Sequence, residues 1–239
     1  MKYIITIISA LTLIVMLQAQ MTTVVSNRGG AAPPPAGGIE LDATSVGTST
    51  SSPATISHTT GSGSNRFLVV CVNTYHSSDP DITGITYNSV PLTQAINNPL
   101  SGTTEDMDIW YLVAPSTGTN NISISGTFEE VASVVSTWTG VDQSTPIGET
   151  GLDDGTNPSY AITVDAGDIV VGGVCSYTGT ITLGADQVLL NTATGAGDGT
   201  DAVSDYEPSP SGGSVTMSYT HTASGNFTGA AGVEVNVAP

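Results

Sequence analysis

Ser64-Asn65-Arg66-Phe67-Leu68-Val69-Val70-Cys71-Val72 decides the fold. The run from Phe67 to Val72 is apolar at every position and too short for a core helix. It reads as a strand covered on both faces. Gly167-Asp168-Ile169-Val170-Val171 repeats the same pattern much later in the chain. Around these runs, Asn121-Ile122-Ser123-Ile124-Ser125 and Val215-Thr216-Met217-Ser218-Tyr219 alternate apolar with polar residues. That alternation marks half-buried strands with a polar outer face. Tyr87-Asn88-Ser89-Val90 reads as a two-residue hairpin turn. Working outward, the pattern predicts strands at 41–46, 54–59, 66–75, 83–87, 90–94, 107–113, 120–125, 130–139, 159–164, 168–177, 180–183, 187–190, 213–219 and 229–237. Many short strands at such spacing predict an all-β, jelly-roll-like two-sheet sandwich.

Composition agrees. The 239 residues include 28 Gly and 13 Pro, and only 10% are charged. Helix-favouring Lys, Arg, Glu, Gln, Leu and Met are scarce against Thr, Ser, Val and Gly, which argues against a helical bundle. The 38% hydrophobic share is enough for a core. The formal net charge is −18, and Lys2, Arg28 and Arg66 are the only Lys and Arg residues. Such a surface repels phosphate backbones and anionic headgroups, so neither nucleic acid nor a lipid surface is an expected partner.

Lys2, a short apolar run ending at Leu17, and Ala19 match a secretory signal peptide over 1–19. The run is short for a membrane span. Leu17, at the third position before the expected cleavage point, leaves an uncleaved anchor as the alternative. Residues 20–40 form a Gly/Pro-rich linker or arm containing Pro33-Pro34-Pro35, and 41–239 form the sandwich domain. The expected location is extracellular or at a cell surface, with no membrane contact beyond the signal segment.

Two halves are legible. Leu68 aligns with Ile169, Val90 with Val188 and Ile122 with Val215, in preserved order. The expectation is one sandwich from two related halves, with 148–157 as the loop between them.

Four segments occur in a characteristic order: Ser64-Asn65-Arg66-Phe67-Leu68-Val69-Val70; Ile85-Thr86-Tyr87; Asp108-Ile109-Trp110-Tyr111-Leu112-Val113-Ala114-Pro115; and Ser136-Thr137-Trp138-Thr139-Gly140-Val141-Asp142-Gln143-Ser144-Thr145-Pro146-Ile147. Together they resemble a poorly characterised β-sandwich domain of exported bacterial surface proteins and some phage structural proteins. The resemblance covers roughly 54–237. It implies a secreted sandwich and carries no catalytic residues across.

Candidate sites are few. Asp198, Asp201, Asp205 and Glu207 place hard oxygen ligands on an expected glycine-rich loop, a candidate calcium site. Tyr206, in the same stretch, is the candidate exposed aromatic for a ligand such as a glycan. Cys71 and Cys175 fall on corresponding strands and, in an exported protein, are a candidate disulfide; as isolated Cys in apolar strands they also read as small core hydrophobes. Glu105, Asp106, Asp108, Glu129 and Glu130 read as solvated carboxylates near strand ends. His58, His76 and His221 show no metal-ligand spacing and no nucleophile–base signature. Asn121-Ile122-Ser123 and Asn226-Phe227-Thr228 match the N-glycosylation pattern. The expected function is therefore a non-enzymatic structural or adhesive surface module, partnered by itself or by an extracellular polymer or glycan. The alternatives are a carbohydrate-binding or glycan-active accessory domain, and a virion or extracellular filament subunit.

Overall fold

The computed structural model describes residues 38–239 except 79, 100–104, 177–178, 196–200 and 223–227. The signal segment, nearly all of the arm, Asp198 and the Asn226 pattern lie outside the described residues. The first half contributes β1 (Glu40–Ser49), β2 (Ala54–Thr60), β3 (Phe67–Tyr75), β4 (Asp81–Tyr87), β5 (Val90–Pro91), β6 (Thr93–Pro99), β7 (Glu105–Val113), β8 (Gly118–Thr127) and β9 (Glu130–Thr139). The second contributes β10 (Ile147–Gly155), β11 (Ser159–Val164), β12 (Ile169–Ser176), β13 (Ile181–Leu183), β14 (Val188–Thr194), β15 (Asp201–Pro208), β16 (Gly213–His221) and β17 (Thr228–Val235). The fold is all-β.

Four antiparallel sheets result. The first half forms a large sheet, β1-β9-β3-β7-β6, and a small one, β2-β8-β4-β5. The second forms β10-β17-β12-β15-β14 and β11-β16-β13. Each half thus has the strand order of a jelly roll, and the expected two-sheet sandwich is built twice. The orders superpose strand for strand, except that β5 has no counterpart. Bulges coincide too. The first strand of each half is irregular, between Leu41 and Ala43 and between Ile147 and Thr150. So are β6, between Gln94 and Ile96, and β14, between Leu189 and Asn191. All four are sheet-edge strands, where bulges concentrate.

The two large sheets pack face to face, making four layers. On β3, Phe67, Val69 and Cys71 point into this central seam, where they meet Ile169, Val171, Val233 and Val235. Leu68, Val70 and Val72 point the other way, onto Ile56, Ile85, Ile122 and Ile124. Val170, Val174 and Val203 meet Ile162, Val215 and Met217 in the second sandwich. The run that opened the sequence reading is apolar throughout because both its faces are buried. Each such side chain contributes about 1.5–3 kcal/mol through burial. Gly173 faces the seam where the sheets approach closely, and a Cβ there would run into Met107 and Cys71.

Several expectations need correction. Residues 148–157 are not a loop: β10 spans most of them and pairs with β17. The acidic loop at 201–207 is β15, an inner strand of the second large sheet. The halves align Phe67, not Leu68, with Ile169, since both of those face the seam while Leu68 faces the first core. With a side-chain period of two, a one-residue slip reverses the face. The hairpin is as read: Tyr87 pairs with Val90, and Asn88 and Ser89 have φ of 49° and 66°, the signature of a type I′ turn.

Candidate functional site

Three buried carboxylates, Glu105, Glu130 and Asp201, lie at one end of the seam. Tyr75, the last residue of β3, is in register with Glu105 of β7 and Glu130 of β9. On the facing sheet, Ser176 ends β12 opposite Asp201, the first residue of β15. Asn73 Nδ2 donates to the Asp201 carbonyl oxygen at 3.2 Å, joining the two sheets. Carboxylates from three strands therefore share this end, and Glu105, Glu130 and Asp201 are each buried. Burial, then Asp201 and Glu130, push the Glu105 carboxyl up to about 8. Nearby, Ser176 Oγ and His221 Nε2 lie 2.7 Å apart. Arg66, the sole Lys or Arg among the described residues, sits at the opposite end of β3, where it donates to the Pro115 and Gly63 carbonyls. The acidic end lacks any Lys or Arg countercharge among the described residues, and burial there favours the protonated form of Glu105.

The other face of β7 continues the pattern. Asp108 accepts from Gln94 Nε2 and Asn97 Nδ2 at 2.9 Å each, and Asp106 accepts from Asn97 at 2.8 Å. Burial and the neighbouring Asp106 push Asp108 up to about 7, against the pull of those amides. Asp106, Asp108, Glu105 and Glu130 are thus buried, not solvated as expected. Glu129 alone stays exposed, accepting from Ser77 Oγ at 2.7 Å.

A second acidic centre lies inside the second sandwich. Asp205 accepts from Gln187 Nε2 and from Tyr219 Oη. Burial pushes it up to about 7, even though those bonds favour the charged form. Gln187 is itself fixed, its Oε1 accepting from the Gly184 and Ser218 amides. The centre ties β14–β15 to β16, and its three side chains are buried.

A third polar group joins β1, β2 and β9. His58 Nδ1 lies 2.9 Å from Ser45 Oγ, and His58 Nε2 lies 3.2 Å from Thr137 Oγ1. Thr137 donates to Asp42, which also accepts from the Gly61 amide. Burial holds the imidazole below its usual range, opposed by Asp42. The order serine, histidine, carboxylate suggests a triad, but Thr137 intervenes and Asp42 does not orient the ring directly. The group is a tie across the sandwich edge.

The predicted site residues are dispersed. Asp201 and Asp205 are four residues apart on one strand, about 13 Å, so they cannot ligate one ion. Glu207 lies further along, half-buried and pushed up to about 7 by burial, Asp186 and Asp205. Among the described residues, no three His, Cys, Asp or Glu side chains are grouped to hold a metal. Tyr206 is not an exposed ligand platform: it packs edge-on against Trp138, with centroids 5.1 Å apart. Cys71 and Cys175 are both buried and unbonded. Cys71 lies against Gly172–Gly173, near its carbonyl partner Gly172 at 3.6 Å, while Cys175 donates to the Gly229 carbonyl at 3.3 Å. Corresponding strands place the two thiols in different rows of the seam, so no bond forms.

The convergence of Glu105, Glu130 and Asp201 had no local sequence signal, since the partners are brought together by sheet stacking alone. Comparison of the chain with protein-family models and with curated proteins returns no match. The fold and its sites define a duplicated jelly roll with a buried acidic end.

Proposed function

We propose that this protein is an exported, non-enzymatic structural module that works by presenting and joining rigid surfaces outside the cell. The observation that carries the reading is that, among the described residues, two sheet edges carry exposed apolar side chains. β1 and β10 are outermost strands of their large sheets, and they present Leu41, Val46 and Leu152, each 42–49% exposed. Open edges offer unpaired N–H and C=O groups to another strand. Elsewhere the perturbed groups are engaged in holding strands together, as Asp205, His58 and Asp108 illustrate. The export signal at 1–19 and the acidic, lysine-poor surface suit an extracellular setting. Light scattering of the secreted chain over a concentration series in physiological salt tests the reading. It predicts association above micromolar concentration and no turnover of glycans or esters. A monomer at all concentrations that hydrolyses such a substrate refutes it.

A second reading, a carbohydrate-binding module, is favoured by one feature. A shallow depression of about 370 Å³ on the first small sheet is lined by Thr86, Asn88, Thr119, Asn120, Asn121 and Ser123, a set of neutral hydroxyls and amides. Binding on a glycan array that is lost in Asn121→Ala would favour that reading.

A further inference from the structure

We infer that the β1 edge of one copy receives segment 21–26 of a second copy as an added strand, joining copies head to tail. This deepens the proposed function and rests on it. The acceptor is defined by geometry. From Ala43 to Ser49, β1 keeps unbroken register with β9 on its inner side. Its outer side is the sheet edge. The bulge at Asp42 ends the regular ladder, leaving a seven-residue acceptor. Val46 lies within it and Leu41 just beyond, both exposed on the seam-facing side, the side of their partners Val134 and Trp138. Asn191 Nδ2 donates to Thr44 Oγ1 at 3.3 Å, so β14 of the facing sheet floors this apolar flank.

The donor lies just ahead of the described residues. Met21-Thr22-Thr23-Val24-Val25-Ser26 is rich in β-branched residues, has no charge and is one residue shorter than the acceptor. Eleven residues separate Ser26 from Gly38, a reach of up to about 40 Å. Pro33-Pro34-Pro35 favours an extended course, which directs the donor away from the chain's own β1. Arg28 follows the donor, and the acceptor strand begins with exposed Glu40 and Asp42. Lysine, the usual guard of exposed edges, is missing after Lys2. Main-chain bonds would supply the attraction and the apolar flank the register, as in strand addition generally. Donor and acceptor are different surfaces, so the contact is heterologous and, where its rotation does not close into a ring, propagates as a filament.

The test uses the secreted chain in three forms: unaltered, lacking 21–26, and carrying Val46→Lys, with Leu41→Lys as a second acceptor variant. Circular dichroism confirms folding of each. Light scattering is expected to show self-association at least about tenfold weaker in every variant, because charge at the edge or loss of the donor removes the added strand. Mixing the deletion with Val46→Lys is expected to give a one-to-one heterodimer that grows no further, since one chain keeps the acceptor and the other the donor. Variants that assemble as well as the unaltered chain would overturn this inference while leaving the proposed function standing. So would a mixture that stays monomeric. An unaltered chain that never associates would sink both.

Discussion

Raising the pH from 4 to 9 should weaken this protein steadily. Glu105 is raised from 4.5 to about 8, and Asp108 and Asp205 from 3.8 to about 7. In the unfolded chain these acids ionise near pH 4, whereas the folded protein keeps their protons to pH 7 or 8. Unfolding therefore releases protons between these limits. Stability is full below about pH 4 and falls as pH climbs through the folded values. At about 1.4 kcal/mol per pH unit, each group withdraws about 4–5 kcal/mol when fully ionised. Glu207, half open to solvent, withdraws less. That is large against the 5–15 kcal/mol typical of whole domains. Net repulsion at −18 acts in the same direction, so a single-site control is needed. Asp205→Asn supplies it: the amide oxygen can accept from Gln187 and the amide nitrogen can donate to Tyr219. Urea melts followed by circular dichroism at pH 5, 6 and 7 should show a slope shallower by about 1.4 kcal/mol per pH unit in Asp205→Asn than in the unaltered chain. Equal slopes, or an unaltered chain whose stability is flat or rising over this range, would refute the reasoning.

Gly173→Val should destabilise by about 1–3 kcal/mol or more, since the side chain meets Met107 and Cys71 where the large sheets touch; thermal melts check this. Trp138→Ala, which empties a fully buried seam position, should cost about 3–5 kcal/mol by urea titration. Both cysteines should resist a thiol reagent in the native protein and react in urea without added reductant, because burial pushes Cys71 up to about 12 and holds Cys175 well above the usual thiol range.

Fold class was legible because the dominant strands carry their own signal. β3 is apolar on both faces, and β8 and β16 alternate cleanly. β10 was not legible: Gly148-Glu149-Thr150-Gly151-Leu152-Asp153-Asp154 has the composition of a turn, and its pairing with β17 makes it a strand. β15 was misread for a related reason. Asp is disfavoured in strands, yet Asp205 is accommodated there by Gln187 and Tyr219, which lie distant in sequence. The duplication was visible in order but not in register, since Gly172 and Gly173 replace apolar residues in β12 and blur the match to β3. The acidic end was invisible because Glu105, Glu130 and Asp201 meet only when two sheets stack.

Electron microscopy of the native protein, taken from its source without refolding, tests the central claim most directly. The account predicts filaments whose subunits are four-layered, joined through the edge of a large sheet, and shortened or lost when 21–26 is removed. Dispersed single particles at high concentration, in physiological salt and at mildly acidic pH, would contradict it.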